Sequence, residues 1–370
     1  MRSRLAAACG AEYPIFAFSH CRDVVIEVSR SGGVGVLGLA RSTPEQVEVD
    51  LRVISEALGD KPFGVDVLFP VTNTQTDTPT DKVELASRIP DEHKHFVADI
   101  MARFGVPEAD DPAALVAGVA GGANATTENG LAIGEVALQY GAKVVASALG
   151  PPPPQFVERV HESGAMLFGL CGGGQQARRH VAAGADAVVA QGTEAGGHTG
   201  DLATMVVVPE VVDAIAPVPV LAAGGISDGR QVAAGLALGA DGVWTGSVWL
   251  GTVESELDPI IKQKLVEASS RDTVRSKCIT GKSVRQLRTP WVDMWESELA
   301  PKPLAMPLQG MLVAESQRRI YRHRVAELMG TPAGQAIGRI NSVRPTRDVF
   351  YDLVQGLAAA SARFTEMLDD

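Results

Sequence analysis

Residues 219–250 read PVLAAGGISDGRQVAAGLALGADGVWTGSVWL, and this stretch decides the fold. An apolar run, Val218–Ala222, leads into the pair Gly224-Gly225. A helical pattern follows over Asp228–Leu238, closed by Gly239, and a second apolar run spans Gly242–Thr245. A strand, a tight glycine turn, a helix that ends on glycine and a second strand make one βαβ unit. Short connections of this kind imply parallel strands and a right-handed crossover.

Six more runs of the same type precede it: Pro14–Ala17, Gly35–Leu39, Phe63–Leu68, Lys143–Ala146, Met166–Leu170 and Ala187–Ala190. Their continuous apolar character suits strands covered on both faces. Helical patterns separate most of them. Thr43-Pro44 places an N-cap and an N1 proline, and Gln175–Ala183 ends at Gly184. Eight strands alternating with helices predict an α/β protein built as a (β/α)8 TIM barrel. The expected division is a barrel over 1–253, interrupted by an insertion at Val71–Glu128 after the third strand, and a smaller, mostly helical region over 254–370. A helix is expected at His93–Phe104, a break at Pro301–Pro307, and the last helices are expected to pack back on the barrel.

Composition narrows the function. Of 370 residues, 45% are hydrophobic and 21% charged, which excludes a disordered chain. Lys and Arg total 33 against 44 Asp and Glu, a formal charge of −11, which argues against nucleic acid or an anionic membrane as partner. Cys9, Cys21, Cys171 and Cys278 form no CxxC pair, so neither a disulfide framework nor a zinc site is expected. Met1–Gly10 is too short for a signal core and no apolar stretch spans a bilayer, so a cytoplasmic location is expected. There is no HExxH, Walker A or GxSxG motif, and no metal is expected.

The chemistry concentrates at predicted strand ends, where a barrel builds its active site. Gln191-Gly192-Thr193-Glu194-Ala195-Gly196-Gly197-His198-Thr199-Gly200 follows the sixth run, with an imidazole suited to proton transfer among glycines that admit close backbone approach. Gly224-Gly225, with Ser227 or Asp228 as helix N-cap, and Thr245-Gly246-Ser247 follow the last two runs. Bare amides and a helix N-terminus there favour a phosphate. Ser19 and His20 follow the first run, and Ser147 the fourth. Asp66 lies inside the third, where a polar group must find a partner. Cys21 is read as inert. His93 and His95 are read as solvated, and His161, His180 and His323 as helix-surface residues.

Two segments, QGTEAGGHTG at 191–200 and Pro219–Leu250, resemble the nitronate monooxygenase family, with weaker similarity over Tyr13–Leu68 and at Ala333–Gly338. The resemblance implies an FMN-binding barrel with a partly helical region over the flavin. It implies His198 as catalytic base, Gln191, Gly192, Gly196 and Gly197 as flavin-lining residues, and Gly224, Gly225, Thr245, Gly246 and Ser247 as the phosphate grip. Asp66 stands where the family usually has Asn, and Ala17-Phe18-Ser19-His20 replaces the family's Pro-Met-x-Gly loop. The implied activity is oxidation of alkyl nitronates or similar carbanion-forming substrates with O2. The alternative is an NAD(P)H-using reductase or dehydrogenase of enoyl, quinone or acyl-CoA thioester substrates. A non-redox phosphate-binding barrel is the rival outside redox chemistry.

Overall fold

A computed structural model describes residues 3–40, 42–69, 82–108 and 126–369. Part of the expected insertion, Val71–Asp81 and 109–125, lies outside the described residues. Eight parallel strands close into a barrel: β1 (Ile15–Ser19), β2 (Val34–Gly38), β3 (Phe63–Leu68), β4 (Val144–Ala148), β5 (Met166–Cys171), β6 (Ala187–Gln191), β8 (Val220–Ala223) and β9 (Gly242–Thr245). All eight predicted runs are strands of this barrel, and β9 closes it by pairing Phe16 with Trp244.

Strand side chains alternate between two cores, as the two-residue strand period requires. Phe16, Val34, Val36, Val144, Ala146, Phe168, Val189, Leu221 and Trp244 fill the lumen. Their neighbours in sequence pack outward against the helices: Ala17, Val188 and Val243 on one side, Leu37, Val65 and Val145 on the other. Helix α1 (Arg4–Ala8) sends Leu5 and Cys9 into the lumen core, and Cys9 Sγ meets Met166 Sδ at the start of β5. The N-terminal end of the barrel is thereby plugged, which leaves the strand C-termini as the mouth.

The outer helices carry the predicted punctuation. Thr43 and Gln46 form a capping box at the start of α3 (Pro44–Leu58), after α2 (Arg22–Arg30). In the insertion lie α4 (Lys82–Ser87) and α5 (Asp91–Arg103), followed by α6 (Thr127–Gln139), α7 (Pro154–Glu162), α8 (Gly174–Ala182), α9 (Thr204–Ile215) and α10 (Gly229–Ala237). Two histidines depart from the sequence reading. His93 on α5 is buried, with Nε2 bonded to the Lys302 carbonyl, because α5 is covered rather than solvated. His180 on α8 is buried beneath β5, where Gly169 has no side chain to keep its ring away.

What covers α5 is a second core. Val97, Ile100 and Met101 pack with Ile261 and Leu265 of α11 (Pro259–Glu267), Trp291 and Trp295 of α12 (Pro290–Trp295), and Val313 and Ile320 of α13 (Leu308–Arg322). Phe96 meets Trp295 edge-on at 4.9 Å, and Arg319 Nε donates to the Pro107 carbonyl at 2.6 Å. The insertion and the chain after the barrel thus build one body. That body also holds a hairpin, β10 (Thr273–Ser276) and β11 (Val284–Leu287), whose edge pairs with a two-residue strand, β7 (Gly197–His198). The last helix, α14 (Thr346–Asp369), returns to the barrel. Its Phe350, Leu353 and Leu357 join the outer core, and Gly229 of α10 lies against Gly356. No helix among the described residues is long and apolar enough to cross a membrane.

Candidate active site at the barrel mouth

The loop after β6 is locked from both sides. A Cβ on Gly192 would lie 2.1 Å from Thr204 Oγ1 and 2.5 Å from Thr204 N, so only glycine fits against the start of α9. Thr204 is held there by Glu194, whose carboxylate accepts from Thr204 N at 3.0 Å and Thr204 Oγ1 at 2.8 Å. On the far side Gly196 stacks on Ala333 and Gly334, and Gln335 N donates to the Glu194 carbonyl at 2.9 Å. The segment Ala333–Gly338 of the sequence resemblance is therefore the backing of the histidine loop.

His198 is exposed at the end of this loop. Its register partner is Val284, and Nδ1 lies 3.3 Å from the Ser283 carbonyl. A carbonyl only accepts, so Nδ1 carries a proton. Behind it, the buried Arg285 guanidinium donates to the Thr193 carbonyl at 2.7 Å, and burial lowers its affinity for its proton. Thr199 Oγ1, beside His198, is buried without a partner among the described residues.

The two loops proposed to grip a phosphate are neighbours, since Ala223 and Trp244 are paired residues of β8 and β9. Gly224 and Gly225 take left-handed conformations, φ +108° and +71°, that side-chain-bearing residues rarely adopt. Asp228, the N-cap of α10, accepts from Arg230 N at 2.9 Å and also binds the Arg230 and Arg339 side chains. The Arg230 hydrogen bond leads the effects that hold its carboxyl down at about 2. One carboxylate between two guanidiniums leaves this helix N-terminus with a surplus positive charge, which suits an anion. Asp228→Ala should cost about 1–2 kcal/mol of stability at neutral pH through the lost cap. Because the folded pKa lies below the ordinary 3.8, that advantage is present above this value and fades as pH falls towards 2. Denaturant unfolding of both proteins across this range checks it.

Alternation places Asp66, Gln191, Phe18 and Trp244 on the lumen face at the mouth. Phe18 and Trp244 stack at 6.3 Å, an apolar pair on the same lumen face as the buried Asp66 carboxyl. His20 stands exposed above, with Nδ1 donating to the Gly38 carbonyl at 2.8 Å. Three hydroxyls serve the barrel itself. Ser19 accepts from Cys21 N, Ser147 faces the outer layer and donates to the Gly150 carbonyl, and Thr245 donates to the Phe16 carbonyl while accepting from Trp249 Nε1. Ser247 Oγ accepts from Gly334 N at 2.8 Å and so joins the last barrel loop to the histidine loop. Cys21 is buried and donates to the Glu254 carbonyl, and burial raises its pKa, as suits an inert thiol.

A plugged parallel barrel with paired glycine loops after its last strands and an imidazole at its open end has the architecture of a (β/α)8 enzyme. The model of the nitronate monooxygenase family matches residues 4–356. A Mycobacterium tuberculosis protein named, by inference, a monooxygenase is 48% identical over 362 residues, 96% of each chain. A Staphylococcus haemolyticus protein named "Probable nitronate monooxygenase" is 27% identical, over 87% of this chain and 89% of its own. The solved nitroalkane oxidase of Streptomyces ansochromogenes superposes with a TM-score of 0.78 at 25% identity, over 97% of this chain and 99% of that one. The chain belongs to the nitronate monooxygenase family and is a flavin-dependent oxidoreductase.

Proposed function

We propose that the flavin is FMN and that the enzyme oxidises alkyl nitronates, or substrates that form similar carbanions, with O2, using His198 as base. The donor set supports the cofactor. The amides of Gly224, Gly225, Gly246 and Ser247 and the α10 N-terminus would hold its phosphate. Gln191, Asp66 and the glycines of the 192–197 loop would line its ring above Phe18 and Trp244. When bound, the flavin supplies two-electron acceptance and reaction with oxygen. The observation that carries the reading is the imidazole placed at the end of the glycine loop, with Nδ1 3.3 Å from the Ser283 carbonyl.

In this reading residues 1–253 bind the cofactor. The body formed by α5 and the chain after residue 254 roofs the mouth and excludes water from the reacting carbon. His198 takes the proton next to the nitro group, or steadies the anion where the substrate arrives already ionised. Gln191 orients the ring partner from below.

Anaerobic mixing of the FMN-loaded enzyme tests the proposal. Bleaching of the flavin by an alkyl nitronate and not by NAD(P)H is the expected result. Bleaching by NAD(P)H alone moves the assignment to an enoyl, quinone or acyl-CoA reductase. A colourless protein that takes up no FMN leaves a non-redox phosphate-binding barrel.

A further inference from the structure

Asp66 is anomalous in its surroundings. It belongs to β3 and has the lumen parity of Gly64, opposite to Val65 and Val67 in the outer core. It is 6% exposed, and its Oδ1 is buried with no hydrogen-bond partner among the described residues. Its register partners are Gly38 on β2 and Ala146 on β4, neither of which brings a polar side chain. A buried carboxylate without a cation or donor is strongly disfavoured, so such a group neutralises itself by keeping its proton. Burial alone pushes its pKa up to about 8.

Among the described residues, the groups that could contest this are few. Neither β2 nor β4 carries a charged residue. The charges on the helices packed against β3, namely Arg22, Asp23, Glu27 and Arg30 on α2 and Glu128 and Glu135 on α6, lie on the outer side of the barrel. Among the described residues, the titratable neighbour on the lumen side is His20, whose Nδ1 donates to the carbonyl of Gly38, the residue in register with Asp66.

We propose that Asp66 is held at the mouth as a neutral carboxylic acid that donates its proton in a hydrogen bond to the ring of the bound flavin, and that loss of this proton releases the cofactor. The inference rests on the flavin reading above but not on the identity of the substrate. A carboxyl donates only while protonated, whereas an amide of the same shape donates at any pH. The enzyme would therefore grip its cofactor in neutral and acidic solution and loosen it in mild alkali, with no change elsewhere in the fold.

FMN titrations of wild type, Asp66→Asn and Asp66→Leu between pH 7 and 9.5, read by quenching of flavin fluorescence, test this. For wild type, Kd should rise about 30-fold across that range, tenfold per unit once the carboxyl ionises near 8. Asp66→Asn should stay tight and flat, and it also carries any titration of the flavin or of His20. Asp66→Leu should be weak and flat. Infrared difference spectra should show a protonated-carboxyl band that shifts when FMN binds wild type and is missing from Asp66→Asn. An equal pH slope in Asp66→Asn, or no such band in wild type, overturns the inference. FMN bound by wild type with pH-independent affinity sinks this proposal alone, and failure of wild type to bind FMN at any pH sinks the flavin reading with it. Should Asp66→Leu not fold, the Asn variant and the infrared band still decide.

Discussion

His198→Ala should lower turnover of a nitronate substrate by about 10²–10⁴-fold, the usual contribution of a positioned general base, while FMN stays bound. The fold should survive this change. His198 is exposed, and its strand is joined to β11 through backbone register with Val284 and Arg285, which the substitution leaves intact. The Glu194–Thr204 clamp and the contact of Gly196 with Gly334 keep the loop in place without the ring. Steady-state rates at equal flavin content check the expectation. A loss smaller than about threefold would remove His198 from the role of base.

Gly192→Ala should strip the protein of flavin and lower its stability by about 1–3 kcal/mol or more, the range for forcing extra volume into a packed site. The added methyl would meet Thr204 at its hydroxyl, its nitrogen and its Cα, at 2.1, 2.5 and 2.6 Å. Thr204 cannot swing aside. Glu194 holds its amide and hydroxyl, and the same hydroxyl oxygen lies 3.1 Å from the Gly224 carbonyl. Displacing it would drag the β6 loop, the β8 loop and the start of α9 together. Gly310→Ala on α13 is the control, because the nearest atom to its added Cβ is the Ile279 carbonyl oxygen at an ordinary 3.8 Å. Urea unfolding and the flavin-to-protein absorbance ratio of the three proteins decide the matter. Equal flavin content in Gly192→Ala and wild type would refute it.

The barrel was legible because each strand is a short apolar run punctuated by glycine, and β8–α10–β9 shows that grammar complete within Pro219–Leu250. The sheet of β7, β10 and β11 was not legible. A two-residue strand has no period to detect, and the buried Arg285 interrupts the apolar signal of its partner strand. His93 and His180 read as exposed because their helices carry charged neighbours, while the cover over His93 comes from distant chain and that over His180 from β5, whose Gly169 lets the ring sit close. In the site, alternation alone distinguishes the lumen residues Asp66 and Gln191 from the outward Ser147 and Thr245, so a hydroxyl at a strand end is a poorer pointer than its parity. Glu194 and Thr204, ten positions apart across a loop, left no pattern in the sequence. They emerge only when β6 and β8 stand side by side.

The shared core of α5 with the chain after residue 254 has a consequence for synthesis. On the ribosome, α5 emerges with Phe96, Val97, Ile100 and Met101 bare, and its partners Trp291, Trp295, Val313 and Ile320 follow some 200 residues later. At translation speeds of roughly 5–20 residues per second that is on the order of 10–40 s, a wait in which a nascent amphipathic helix is open to chaperones or to neighbouring polypeptides. Slow codons or truncations between residues 110 and 290 should therefore reduce yield more than equal disturbances nearer the C-terminus.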